Sequence, residues 1–411
     1  MSGLALDGLR VLDLTRLLPG GFCSLLLADF GADVIKVEDT GLGDYVRWAP
    51  PFYDGVEPSA GSALFLSLNR GKRSVRVDLK SEPGREVLLR LARDADVLLE
   101  SFRPGVLERL GVGYERLRAA NPRLVYCAIT GYGQQGPGRE RSGHDLNYLG
   151  LNGILGLSGE ADGPPTPSAA QIADLGGGAM MAAVGILMAL LERDRSGEGQ
   201  LVDCSMFDGS LSFLAMLAAE MLAAGAVPRR GELRLAGGIV CYRPYRCADG
   251  YVTLGALEAK FWSAFCLGVG RADLADHAFD PPGSEAHRAV SEIFAGRTRE
   301  QWRAFAAEHD CCLEPVMDLD EVLQGELVAA REMVAELDQP GAERPVRLLG
   351  VPVKLSRTPG DPGRAPGPGL GQHTREVLAE AGYSSAEIDV LLESGAVAGP
   401  ADTVQSGTFM A

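Results

Sequence analysis

Apolar positions in the first 130 residues fall into short runs separated by segments of helical period. Residues 9–14 (LRVLDL) form an apolar run, Pro19-Gly20 punctuates the chain, an amphipathic stretch reaches Phe30, and 32–38 (ADVIKVE) is again strand-like. That order is a βαβ unit. It recurs as a strand at 74–80 (SVRVDLK), a helix at 82–94, a strand at 96–101, helices through 105–120 and a strand at 124–130 (LVYCAIT). Such alternation predicts an α/β fold with a mostly parallel sheet covered by helices on both faces.

Further along, Asp174 is placed to cap a long helix running to about Arg195, which Ser196-Gly197 ends before a strand at 200–206 and a second apolar helix at 208–224. The longest apolar stretch, Leu175 to Leu191, is shorter than the roughly 18 residues of a membrane span, which predicts a buried core helix. After Arg229-Arg230-Gly231 the texture changes: strand-like runs at 241–247 and 251–256 flank Ala248-Asp249-Gly250, a hairpin signature, and short helices occupy 259–309. The predicted organisation is a large domain over 1–228, a smaller α+β domain over 229–335, and a return to the large domain over 336–411. In that last part the Pro/Gly-rich stretch 359–371 reads as an extended connector and 373–394 as helical.

Composition narrows the function classes. With 411 residues, 46% hydrophobic and 23% charged, the chain is an ordinary globular one, and its 53 Gly and 24 Pro exclude a coiled coil. A net charge of −16 disfavours a nucleic-acid partner. The eight cysteines (23, 127, 204, 241, 247, 266, 311 and 312) include no CxxC pair and no histidine at ligand spacing, so they read as reduced core residues and no metal is expected. Met1 to Asp7 lacks a signal-peptide pattern and Thr408-Phe409-Met410-Ala411 is not a peroxisomal tripeptide, so the expected location is the cytoplasm, with no membrane partner.

The first βα turn, Thr15 to Gly21, lacks G-x-G-x-x-G, which disfavours a nicotinamide cofactor, and no P-loop, H-E-x-x-H or G-x-S-x-G is present. Two segments stand out: Gly143-His144-Asp145-Leu146-Asn147-Tyr148, and Asp174-Leu175-Gly176-Gly177-Gly178. Together with LLADFGADVIKVE (26–38), LNRGKRSVRVDLK (68–80), ESFRPGVLERLGVGYE (100–115), TGYGQQGP (130–137) and GEGQLVDCSMFDG (197–209), they resemble the class III CoA-transferase (CaiB/BaiF-type) family from Gly8 to about Ser356, and within it the α-methylacyl-CoA racemase branch.

The resemblance implies a Rossmann-like large domain, a small domain, and two interlocked protomers forming a homodimer. It also implies an acyl-CoA substrate, with coenzyme A present only as part of that substrate and no other cofactor. In the racemase branch the family's histidine falls on His144, its aspartate on Asp174 and a supporting glutamate on Glu258. These residue types suit proton transfer on either face of a carbon next to a thioester, provided burial raises the Asp174 pKa and Glu258 raises that of His144. Asp145 and Tyr148 would orient the histidine, and the N–H groups at Gly176 and Gly177 would face the enolate oxygen. Coenzyme A contacts are expected from Asn69, Arg70, Lys72, Arg73 and Arg103. Relatives often carry Arg or Pro after VIKVE, where this chain has Asp39.

Taken alone, each residue also has a plain structural reading: His144 as a bonded loop residue, Asp174 as a helix cap, Glu258 as a solvated strand end, and Arg70 to Arg73 as a solvated turn. The expected activity is racemisation or epimerisation of 2-methyl-branched acyl-CoA thioesters. The rivals are transfer of CoA between carboxylic acids, with Asp174 as nucleophile, and a non-catalytic acyl-CoA-binding scaffold.

Overall fold

The computed structural model describes residues 3–401, so the Thr408 to Ala411 terminus behind the targeting expectation lies outside the described residues. The chain divides into two compact units. The first holds residues up to 152, 170–213 and those from 326 onward; the second holds 153–169 and 214–325. The switch expected at 229 thus falls at 214, and the short segment 153–169 joins the second unit.

In the first unit, β1 (Arg10–Asp13) leads through α1 (Leu17–Asp29) to β2 (Asp33–Glu38), and α2 (Ala63–Asn69) leads to β3 (Lys72–Val77). α3 (Glu82–Arg93) is capped by Ser81, whose hydroxyl accepts the Gly84 N–H, and carries Arg90 and Arg93 in its last turn. β4 (Val97–Glu100), α4 (Val106–Arg109), α5 (Tyr114–Ala120) and β5 (Val125–Thr130) follow, then α6 (Asp145–Leu151). A π-helical segment, Ile172–Met180, runs directly into α7 (Met181–Ser196), which Gly197 ends at φ 80°. β6 (Leu201–Ser205) and α8 (Met206–Leu211) complete this stretch.

In the second unit, α9 (Ala215–Ala224) follows residues 153–169 in chain order. β7 (Tyr242–Cys247) and β8 (Gly250–Gly255) form the expected hairpin, with Cys247 opposite Gly250. α10 (Ala259–Gly268), α11 (Glu285–Ala295) and α12 (Arg299–Glu308) precede β9 (Leu313–Pro315), which pairs antiparallel with β8. Its core is aromatic: Phe294 lies 4.7 Å from Trp302 and 5.2 Å from Phe265, ring centre to ring centre.

Back in the first unit, β10 (Val334–Leu337) and β11 (Val346–Leu349) form a two-stranded ribbon, and β12 (Val397–Ala398) closes the main sheet. The order is β12-β3-β2-β1-β4-β5-β6, parallel throughout except for β12. Its central strands bury apolar residues on both faces, Leu12, Ile35 and Leu98 on one and Val11, Val34 and Val97 on the other, as a sheet covered by helices requires.

Three expectations are corrected. The stretch 359–371 is no free connector: Gly71 donates to Ala365 O (3.0 Å), Arg47 Nη1 to Pro368 O (2.9 Å), and Leu370 and Gly371 to the hydroxyls of Ser59 and Ser74 (2.9 Å each). Residues 367–371 are buried because side chains satisfy their backbone and glycines allow the contact; a Cβ on Gly367 would sit 2.3 Å from Leu66 Cδ2. α7 is buried on one face only, through Ala182, Ile186 and Ala189, while Met188 and Leu191 are 65% and 68% exposed. By length and composition Ile172–Ser196 and Met206–Ala224 are each apolar enough to cross a membrane. Finally, seven cysteines are buried as expected, but Cys312 is exposed in a left-handed conformation, φ 53°.

Candidate active site

Parallel strands release their chains at one edge of the sheet, and the segments that follow β1, β4 and β5 build a cavity of about 300 Å³ there. His144 and Asp174 both line it. The loop after β5 is shaped by Tyr148, whose ring fits between two glycines: a Cβ on Gly131 or Gly143 would lie 2.8 or 2.7 Å from it. The Tyr148 hydroxyl donates to Gly143 O at 2.6 Å, and its ring meets Tyr132 edge-on at 5.2 Å. His144 is the cap residue of α6, in extended backbone geometry, with its N–H donated to Asn147 Oδ1 at 3.0 Å. Its side chain is left exposed toward the cavity.

Asp145 explains how residues so far apart in the chain meet. It is buried, and its Oδ1 accepts the N–H groups of Ala173 (2.6 Å) and Asp174 (3.0 Å). One carboxylate therefore caps the π-helical segment while its neighbour His144 caps α6. Asp174 is not the cap: the segment begins two residues before it, with Gln171 at the cap position. Asp145 and Tyr148 act on His144 through the backbone, not through a bond to its ring.

This origin also reassigns the glycines. Gly176 and Gly177 lie inside a helical segment rather than at its start, so they are not free first-turn donors. Gly177 serves packing: a Cβ there would stand 2.6 Å from Ser210 N, and one on Gly209 would stand 2.0 Å from Gly177 O. The two glycines let the π-helical segment and α8 touch backbone to backbone.

Burial, reinforced by the charge of Asp145 and opposed by His144, raises the Asp174 carboxyl to about 6. Nearby, at the end of β4, burial raises Glu100 to about 8, although Phe102 N–H (2.6 Å) and Tyr126 Oη (3.3 Å) both donate to it.

The expected coenzyme A contacts divide sharply. Arg103 lines the cavity and is exposed. Asn69, Arg70 and Lys72 are buried and bonded inward: Lys72 Nζ to Asp13 (3.2 Å), Ser24 (2.7 Å) and Asn69 Oδ1 (2.8 Å), and Arg70 to both oxygens of Asp29 (3.0 and 2.8 Å). Arg73 pairs with Asp33, Glu376 and Glu380 at the edge where strands begin, opposite the edge that carries His144. These four side chains hold the fold and are not presented to a phosphate beside His144. The sequence reading missed Arg16, Arg139 and Arg141, which join Arg103 in the cavity wall. Their signal was position: Arg16 follows β1 and the others follow β5, at strand carboxyl ends. Glu258 belongs to the second unit, exposed at the start of α10.

The chain is similar to succinyl-CoA:mesaconate CoA-transferase of Haloarcula marismortui, 39% identical over 93% of this chain and 97% of the relative. It is similar to alpha-methylacyl-CoA racemase of Mus musculus, 36% identical over 94% and 95%. A CAIB/BAIF family protein from Brucella suis has a similar structure, with TM-score 0.80, 33% identity, and coverage of 92% of this chain and all of that one. The CoA-transferase family III profile matches residues 6–374, and the chain belongs to that family.

Proposed function

We propose that the protein is a racemase or epimerase of 2-methyl-branched acyl-CoA thioesters, working by 1,1-proton transfer through an enolate. The observation that carries this reading is that His144 and Asp174 line one cavity, with the Asp174 carboxyl raised to about 6. A carboxyl raised to about 6 can hold or release a proton near neutral pH, so Asp174 can stand on either side of a proton exchange. In one direction neutral His144 takes the α-proton and protonated Asp174 returns one to the other face. In the reverse direction ionised Asp174 takes it and the imidazolium returns it. The proton balance closes within the pair and the thioester, so the reaction calls for no added cofactor. The cavity arginines supply positive charge for the coenzyme A end.

A second reading is transfer of CoA between carboxylic acids, favoured by the mesaconate transferase relative. There the Asp174 carboxylate attacks the thioester carbonyl, releasing CoA thiolate and forming an anhydride. The thiolate attacks the aspartyl carbonyl, freeing the donor acid and leaving an aspartyl-CoA thioester. The acceptor carboxylate displaces the thiolate to form a second anhydride, and the thiolate attacks its acceptor carbonyl, giving the new CoA thioester and free Asp174.

One experiment separates the two. The purified protein is incubated with a single enantiomer of a 2-methylacyl-CoA in D₂O without any carboxylate acceptor. Deuterium uptake at the α-carbon with loss of configuration, abolished by either His144→Ala or Asp174→Ala, supports racemisation. No uptake, but a new thioester when an acid acceptor is added and activity that survives His144→Ala, makes the protein a transferase.

A further inference from the structure

Asp39 is unused by the proton-transfer chemistry, yet it is held firmly at the carboxyl end of β2. Its Oδ2 meets Arg16 Nη2 at 2.5 Å, while Oδ1 accepts the N–H groups of Gly41 (2.8 Å) and Gly43 (3.3 Å). Arg16 in turn donates from Nη1 to Tyr45 Oη at 3.0 Å, with its guanidinium 5.1 Å from the centre of that ring. Arg16 also lines two cavities, the one that contains His144 and a smaller one of about 130 Å³ walled by Val37, Val77, Leu79 and Phe102. Of the four arginines around His144, Arg103, Arg139 and Arg141 form no ion pair among the described residues, whereas Arg16 has a carboxylate partner. Both partners are within reach of solvent, with side chains 33% and 43% exposed.

We infer that Arg16 reads the charge of the coenzyme A end of the substrate, and that Asp39 is the counter-ion it gives up: a phosphate oxygen takes the place of Asp39 Oδ2 on Arg16. The inference rests on the acyl-CoA reading above and adds a specificity-determining pair to it. A guanidinium fork donates to carboxylate and phosphate oxygens with the same geometry, so the two compete for one donor set. A half-exposed pair contributes little by itself, which makes the exchange easy. Asp39 holds Arg16 at the junction of the two cavities, at the expense of affinity. Neutralising Asp39 therefore tightens binding of a phosphate-bearing ligand, where removing an ordinary binding residue would weaken it.

Calorimetric titration of the full-length protein with coenzyme A, and separately with pantetheine, which lacks the phosphates, tests this. Asp39→Asn keeps an amide oxygen for the Gly41 and Gly43 N–H groups and removes the charge. It should bind coenzyme A roughly two- to fivefold more tightly and pantetheine as the wild type does. Asp39→Ser, which also retains an oxygen for the turn, should show the same gain. Arg16→Gln should weaken coenzyme A binding by about tenfold, and Asp39→Asn should then bring no gain. Unchanged or weaker coenzyme A binding by folded Asp39→Asn, an equal gain in the Arg16→Gln background, or an equal shift with pantetheine would overturn the inference. Wild-type protein that binds no coenzyme A at all removes the acyl-CoA reading itself, a different failure.

Discussion

At Asp174 the surroundings, more than the residue type, set the chemistry. An unfolded aspartate titrates near about 3.9, and in the folded chain the same carboxyl lies at about 6. The folded state therefore keeps a proton that the unfolded chain releases, so stability falls as pH rises from about 4 to 6, and the full penalty applies above that window. Two units correspond to about 3 kcal/mol, which partial exposure reduces to about 1–2 kcal/mol. Asp174→Asn should unfold at higher urea at pH 7.5 by that amount, match the wild type near pH 4, and have no α-proton exchange activity. Glu100, raised to about 8 by burial, predicts the same sign in a higher window. Glu100→Gln should melt above the wild type at pH 8.5, with the gap closing toward pH 5. His144, Asp174 and Arg103, singled out in the sequence through their motifs, line one cavity. Arg16, Arg139 and Arg141 were missed because their one signal, a place after a strand end, does not show which side chain turns into the cavity.

At the scale of elements, the segment that joins α2 to β3 illustrates why residue type alone misleads. Asn69, Arg70, Lys72 and Arg73 look like an anion site in sequence, yet β3 carries Lys72 inward beside Asp13, where both side chains are fully buried. Burial lowers Lys72 to about 8, against the pull of Asp13; burial would raise Asp13, but the charges of Lys36 and Lys72 hold it at about 2. Removing the ammonium strands a buried carboxylate. Lys72→Met should cost about 3–5 kcal/mol in urea unfolding while the remaining folded protein binds coenzyme A with wild-type affinity; a loss of affinity with intact stability would restore Lys72 as a ligand residue. The π-helical segment tells a related story. Its glycines predict a helix start at Asp174, but the cap comes from Asp145, a residue on another helix, and it starts the segment earlier. No local pattern around Ile172 records that carboxylate.

For the whole molecule, the exposed apolar surface is the main feature that a single chain leaves unexplained. On α7, Met188 and Leu191 face outward, and α9 has no buried residue, with Leu222 80% exposed. Surface of that kind marks an interface, and a homodimer is the occupant proposed here. Light scattering should give twice the 43.4 kDa chain mass. Leu191→Lys combined with Leu222→Glu should shift the protein to monomer or to aggregate, and an unchanged mass for the double variant would place the interface elsewhere.

The amino-acid order alone determined the alternation of strands and helices, the hairpin at Ala248-Asp249, the parallel sheet, and the motifs that carry His144 and Asp174. These are consequences of local period, turn chemistry and short-range spacing. Only the tertiary structure decided which charged residues turn inward, which arginines share a cavity, and that Asp145 and not Asp174 caps the helical segment. Those outcomes depend on groups brought together from distant parts of the chain, where burial and neighbouring charge change what each residue can do.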